Sequence, residues 1–328
     1  MSNMQETSAG FVVAAALTGN ILIALSKYGA AWLTGSSAML SEAVHSTVDC
    51  GNGLLLMIGL RRGARPPDAS HPFGYGMEVY FWSFIVAVLI FGAGAGFSLF
   101  EGIEKILRPR AVDHVLANYV ALGIAFPLEA ASWVISLRKL NRGRGGRGWL
   151  EEARRSKDPT VFAVLFEDTA ALLGLVAAAL GIWLSQILNL PQLDGVASLL
   201  IAALLASVAW LLARECQSLL TGEAALPELR REVAGAATAE PGVLAITEMA
   251  TLHLGPDAVL VALSLEFSDG LTAPEIERAV RVIEHRIRCL HPNVQRVFIE
   301  ADPRRLHATT AEVAPPGSPA EQTSASGE

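Results

Sequence analysis

The sequence predicts an α-helical membrane protein: six transmembrane helices followed by a small α+β domain. Three observations predict it. Hydrophobic residues make up 52% of the 328 residues and charged residues only 17%, with a mean hydropathy of +0.41. Six apolar segments can each supply the about 20 residues that cross a bilayer core. After Leu220 the apolar runs give way to amphipathic and alternating stretches.

The segments run roughly 11–33, 37–60, 80–104, 112–137, 161–187 and 190–213. Internal Gly, Ala and Ser suit close helix packing in lipid. Only QILNLPQL separates the last two, which predicts antiparallel neighbours. Arg61, Arg62 and Arg65 follow the second segment, and Arg138, Lys139, Arg142, Arg144 and Arg147 follow the fourth. By the positive-inside rule these face the cytoplasm, and both termini join them. Arg108 and Arg110 fall on the other side and are outnumbered. The opening MSNMQETSAG has no basic n-region or cleavage site, so the first span is expected to be retained. With no transit extension before that span, the expected location is a bacterial inner membrane.

Beyond TGEA at 221–224, ELRREVAGAATAEPGV reads as an amphipathic helix. AITEMATLHLG and DAVLVALSLEFSDG read as strands with Gly and Asp at their turns. TAPEIERAVRVIEHRIRCLHP reads as a helix, with Pro274 in its first turn and Pro292 after its end. NVQRVFIEAD supplies a third strand. The expected organisation is an N-terminal cytoplasmic segment 1–10, a membrane domain 11–215, a cytoplasmic α+β domain 216–302 and a disordered Pro/Ser/Ala/Gly-rich tail 303–328.

Composition excludes several classes. The net charge is −7 and no basic stripe interleaves with aromatics, which argues against nucleic-acid binding. Cys50, Cys216 and Cys289 lie far apart and form no CxxC pair or disulfide framework. No GxxxxGK[ST] loop is present to bind ATP.

The informative stretch is SEAVHSTVDCGN, residues 41–52, in the middle of the second segment. Glu42, His45, Asp49 and Asn52 recur at spacings of three and four, so a helix places them on one face. Ionisable groups in hydrocarbon are costly and mark functional sites. An imidazole nitrogen and carboxylate oxygens are acceptable ligands for Zn2+. The fifth segment offers Glu167 and Asp168 near mid-span, without a basic neighbour on their own helix. A bound cation would neutralise acids from both helices; an ion pair with Lys27 of the first segment competes with that reading. Adjacent side chains diverge by about 100° on a helix, so Asp168 is the firmer ligand. Glu167 is a ligand, a supporting group or a proton acceptor. Protons compete with metal for such ligands, which suits exchange of one for the other.

SEAVHSTVDCGN, HPFGYGMEVYFWSF at 71–84 and FEDTAALLGL in the fifth segment resemble the cation diffusion facilitator family, and within it the zinc transporter nine-like branch and its bacterial relatives. The resemblance spans residues 10 to 300. It implies a homodimer with six helices per subunit and a cytoplasmic ferredoxin-like domain. It also implies a divalent metal held between the second and fifth helices and exchanged for protons, with no permanent cofactor. The family's second-helix ligands fall on His45 and Asp49. Its fifth helix commonly supplies His and Asp four residues apart. With Asp168 in the Asp position, the His position falls on Val164, and Glu167 is the available substitute. A carboxylate-rich site is harder, and would take Mn2+, Fe2+ or Co2+ alongside Zn2+.

Outside the spans, Asp68 and His71 lie where some relatives carry an accessory metal site; a loop anchored by Gly74 and Gly76 is the simpler reading. Glu101, Glu104 and Lys105 read as interfacial or paired along their own helix. His253, His285 and His291 are the candidates for regulatory metal in the C-terminal domain, with surface histidine as the default. Two other classes compete with export of a divalent cation, foremost Zn2+. One is an intramembrane metal enzyme using His45, Asp49 and Asp168, although no HExxH occurs. The other is a membrane-anchored scaffold, which leaves the intramembrane carboxylates unexplained.

Overall fold

The computed structural model describes residues 20–112, 114–141 and 157–302. The expected N-terminal segment 1–10, the tail 303–328, and Arg142, Arg144 and Arg147 lie outside the described residues. The chain divides into a helical unit that runs to Glu223 and also takes in His253–Asp257, and an α/β unit of Ala224–Leu252 and Ala258 onward.

The helical unit begins with α1 (residues 20–34), followed by α2 (Ser37–Gly63). Gly35 makes the turn between them with φ +66°, a conformation glycine adopts at no steric cost. Ser36 caps α2, its hydroxyl accepting from the Met39 N–H at 3.1 Å. Next come α3 (Glu78–Leu107), α4 (Val115–Asn141), α5 (Pro159–Ile187) and α6 (Gln192–Leu220). Within α3 the stretch Ile90–Gly96, IFGAGAG, is π-helical. Three glycines there leave the backbone little side-chain constraint against the wider turn. Pro127 interrupts the hydrogen-bond ladder of α4. Asp158 caps α5 by accepting from the Thr160 N–H at 2.9 Å, and Pro159 takes the first turn.

α3 to α6 are long and apolar enough to cross a membrane. The sequence leads to six such spans. α2 has 27 residues, but Glu42, Asp49, Arg61 and Arg62 lower its apolarity, and α1 is described only from residue 20. Met39, Ile90, Leu165, Leu175, Ile201 and Leu205 are buried between the helices. Trp32, Leu107, Leu116 and Trp210 point outward and are exposed. So much exposed apolar surface fits lipid rather than water. α3 and α6 cross where Gly102 meets Gly195; a Cβ on either would lie 2.9 Å from the other's carbonyl oxygen. Small residues at such crossings let membrane helices close up.

A polar knot ties one end of this unit. Asp194 of α6 is fully buried. It accepts from the Ser36 hydroxyl at 2.6 Å and the Ser37 N–H at 2.7 Å. Lys105 of α3 approaches Asp194 at 3.5 Å and donates to the Gly35 carbonyl at 2.6 Å. Lys105, read from sequence as interfacial or paired along its own helix, also reaches across to α6. A long side chain at a helix end reaches the carboxylate of the neighbouring helix, because that acid is buried and needs a counter-charge.

The α/β unit contains α7 (Pro227–Thr238), β1 (Val243–Gly255), β2 (Ala258–Phe267), α8 (Ala273–Leu290) and β3 (Val294–Ala301). The sheet order is β1-β2-β3, and β2 and β3 run parallel, with Val261 opposite Val297 and Leu263 opposite Ile299. Val259, Val261, Leu263 and Leu265 alternate inward along β2. They meet Ile283 and Ile287 of α8 and Leu229 and Val233 of α7. Glu275 accepts from the Thr272 N–H at 2.8 Å at the start of α8. That bond holds its carboxyl below the usual range.

Candidate functional site

Helical spacing on α2 presents Glu42, His45, Asp49 and Asn52 in succession, but their surroundings differ. Glu42 is fully buried and pairs with Lys27 of α1 at 3.1 Å. Lys27 also donates to Ser46 at 2.7 Å. The lysine that competes for the α5 acids thus pairs within the α1–α2 hairpin. Gly174 of α5 packs against Glu42, so a side chain there would push the Glu42 carboxylate aside.

His45 is 1% exposed, and its Nδ1 lies 3.4 Å from Asp49 Oδ1. Neither ring nitrogen has a hydrogen-bond partner. Asn52 donates through Nδ2 to Glu167 Oε1 at 3.1 Å, joining α2 to α5. Asp168 turns toward α4 and accepts at Oδ2 from Ser132 at 3.0 Å and Ser136 at 3.2 Å. These groups surround a cavity of about 190 Å³ whose wall includes Ser46, Asp49, Glu129, Ser132, Glu167 and Asp168.

Asp49, Glu167 and Asp168 therefore share one cavity, with His45 behind Asp49 and Asn52 behind Glu167. Among the described residues, no three His, Cys, Asp or Glu side chains converge tightly enough to hold one ion in this conformation. The polar bonds explain why: Asn52 engages Glu167, while two serines turn Asp168 toward α4. Glu129, Ser132 and Ser136 were not singled out from sequence. The signal was available, since Glu129 is an isolated charge in an apolar span and the serines follow at three and seven residues, on the same helix face.

The remaining candidates lie elsewhere. Asp68 accepts at Oδ1 from Ser70 Oγ at 2.6 Å, the Ser70 N–H at 2.9 Å and the His71 N–H at 2.8 Å. Its Oδ2 accepts from Tyr75 at 2.7 Å. The bonds from Ser70, Tyr75 and His71 hold its carboxyl well below the usual range. The His71 ring lies 4.1 Å from Tyr75, and Gly74 closes the loop with φ +86°. His253 on β1 is buried, which pushes its imidazole below the usual range. His285 Nε2 is 3.5 Å from Cys289 Sγ on α8, and His291 lies 2.9 Å from Glu232.

Apolar helices around a cavity lined by Asp49, Glu129, Glu167 and Asp168 define a polytopic membrane protein with an acidic interior cavity. The chain belongs to the cation efflux family, whose transmembrane domain matches residues 13–221. The family consists of transporters, not enzymes. The human protein named "Proton-coupled zinc antiporter SLC30A9, mitochondrial" is 33% identical over 80% of this chain and 46% of its own length. "Metal tolerance protein C4" of Arabidopsis thaliana is 33% identical over 65% of this chain and 47% of its own. This chain thus spans about half the length of these curated relatives. "Cation-efflux pump FieF" of Citrobacter koseri is 25% identical over 92% of this chain and 95% of its own length. A solved zinc form of the MamM CTD matches 25% of this chain and 90% of its own at 14% identity and a TM-score of 0.23, too distant to bear on the fold.

Proposed function

We propose that this protein is a secondary transporter that exports a divalent metal cation, Zn2+ foremost, in exchange for protons. The observation carrying the proposal is that Asp49 of α2 and Glu167 and Asp168 of α5 line one cavity between apolar helices. Among the described residues no lysine or arginine lines this cavity to neutralise the carboxylates, which calls for a cation, and metal and protons compete for that role. His45, one turn behind Asp49, adds a nitrogen ligand of a type that divalent metals accept. The names of the SLC30A9 relatives support zinc and proton coupling.

In this reading α1 and α2 complete six spans, and both termini face the cytoplasm of a cell membrane with Arg61 and Arg62. The α/β unit is a ferredoxin-like domain through which two copies pair. The ligands come together only in another state of the transport cycle, when Glu167 leaves Asn52 or Asp168 offers its second oxygen.

The test is flux. Proteoliposomes loaded with a zinc-sensitive dye are given a pH gradient, and wild type is compared with Asp49→Ala. Gradient-dependent uptake in wild type, lost in the variant, is the expected result. Equal flux in both, above empty vesicles, would remove Asp49 from the site. Competition by Mn2+, Fe2+ and Co2+ ranks the cargo.

A further inference from the structure

We propose that Glu129 of α4 is a ligand of the transported cation, so that the ion is held by three helices and not by α2 and α5 alone. The inference rests on the transport reading above and names the donor that α5 lacks. Four carboxylates wall the cavity, and three have polar neighbours: Asp49 has His45, Glu167 has Asn52, and Asp168 has Ser132 and Ser136. Among the described residues Glu129 has no hydrogen bond or ion pair, although it sits in an apolar helix. Among the described residues no lysine or arginine lines the cavity, and the buried Lys27 is already engaged by Glu42 and Ser46.

A second observation comes from the imidazole behind the acids. His45 is 1% exposed, both its nitrogens lack hydrogen-bond partners, and Nδ1 faces the Asp49 carboxylate that lines the cavity. A buried imidazole whose nitrogens make no hydrogen bond is costly unless something occupies it in another state. On α5, meanwhile, the position one turn before Asp168 is Val164, whose side chain also lines the cavity and cannot ligate. The complement of donors around the cavity is therefore completed from α4. Carboxylates from three helices with one imidazole form a set that binds divalent ions of intermediate hardness.

The experiment uses the full chain in proteoliposomes and reads KM and kcat for Zn2+ and Mn2+ in wild type, Asp49→Ala, Glu129→Gln, Glu129→His and the pair Glu129→Gln with Val164→Asp. Glu129→Gln keeps the side chain's size. It is expected to raise the Zn2+ KM by about 10-fold or more, at least the loss that groups supporting a metal ligand produce. Glu129→His is expected to shift the Zn2+:Mn2+ ratio toward Zn2+. Restoring a carboxylate at Val164→Asp is expected to recover much of the KM. A merely structural glutamate would give neither the ratio change nor the recovery. Wild-type KM and ratio in both Glu129 variants, in vesicles where Asp49→Ala is inactive, would overturn the inference and leave the transport reading standing. Full transport by Asp49→Ala would instead bring down that reading and this inference with it. If Glu129→Gln fails to fold, the ratio measured in Glu129→His decides: a shift supports the assignment and an unchanged ratio overturns it.

Discussion

Asn52 of α2 holds Glu167 of α5 by a 3.1 Å hydrogen bond, and this bond joins the two helices that carry the candidate ligands. Glu167 is 8% exposed. Asn52→Leu removes the donor and strands the carboxylate. A loss of about 1–3 kcal/mol is expected for an unsatisfied buried acceptor. A lower melting temperature in detergent checks it, and Asn52→Asp, which sets two acids face to face, is expected to melt lower still.

Lys27 and Glu42 form a fully buried pair, 3.1 Å apart. Lys27→Met leaves Glu42 as an uncompensated charge, at an expected cost of about 3–5 kcal/mol. The double variant Lys27→Met with Glu42→Leu removes both charges and is expected to be closer to wild type than Lys27→Met alone. A double-mutant cycle on thermal stability measures the coupling. Equal destabilisation by the single and double variants would show that packing, not charge, governs the site.

Ser132 and Ser136 orient Asp168 through one oxygen and leave the other for a ligand. Replacing both serines by Ala is expected to weaken metal affinity by about 10–100-fold, as loss of supporting hydrogen bonds does at metal sites. Zn2+ flux as a function of concentration reads this as a raised KM. An unchanged KM would mean that Asp168 is positioned by its helix alone.

Asp68 organises the α2–α3 loop as an ionised acceptor, with its folded pKa depressed. Its stabilising contribution is therefore present above the ordinary carboxylate range and lost as pH falls through the depressed folded value. Asp68→Asn should increase hydrogen exchange at the Ser70 and His71 amides at neutral pH. The difference from wild type should shrink only in strong acid. A difference that disappears between pH 7 and 6 would assign the effect to another group.

Much of this organisation is legible in the sequence because it depends on local periodicity. The inward valines and leucines of β2 follow the two-residue repeat, and the face bearing Glu42 to Asn52 follows helical spacing. What spacing does not contain is the partner across the helix interface. Lys27 could meet any acid at its depth, and it pairs with Glu42 because α1 and α2 form a tight hairpin in which both are sealed from water. Lys105 likewise reaches across to Asp194. Glu129 is visible as a charge in an apolar run, yet only the packing of α4 brings it to the wall shared by Asp49. The π-helical stretch in α3 has no signal beyond its glycines.

The knot at Asp194 has a mechanical consequence. It anchors the first turn of α2 to α6, while Asp49 lies twelve residues further along. At 1.5 Å per residue that is a lever arm of about 18 Å. With Ser36 and Ser37 as fulcrum, a lean of about 10° carries the Asp49 carboxylate about 3 Å at this pitch. That is roughly the length of one hydrogen bond, so a small rocking of α2 suffices to swap its neighbours while the anchored end stays still.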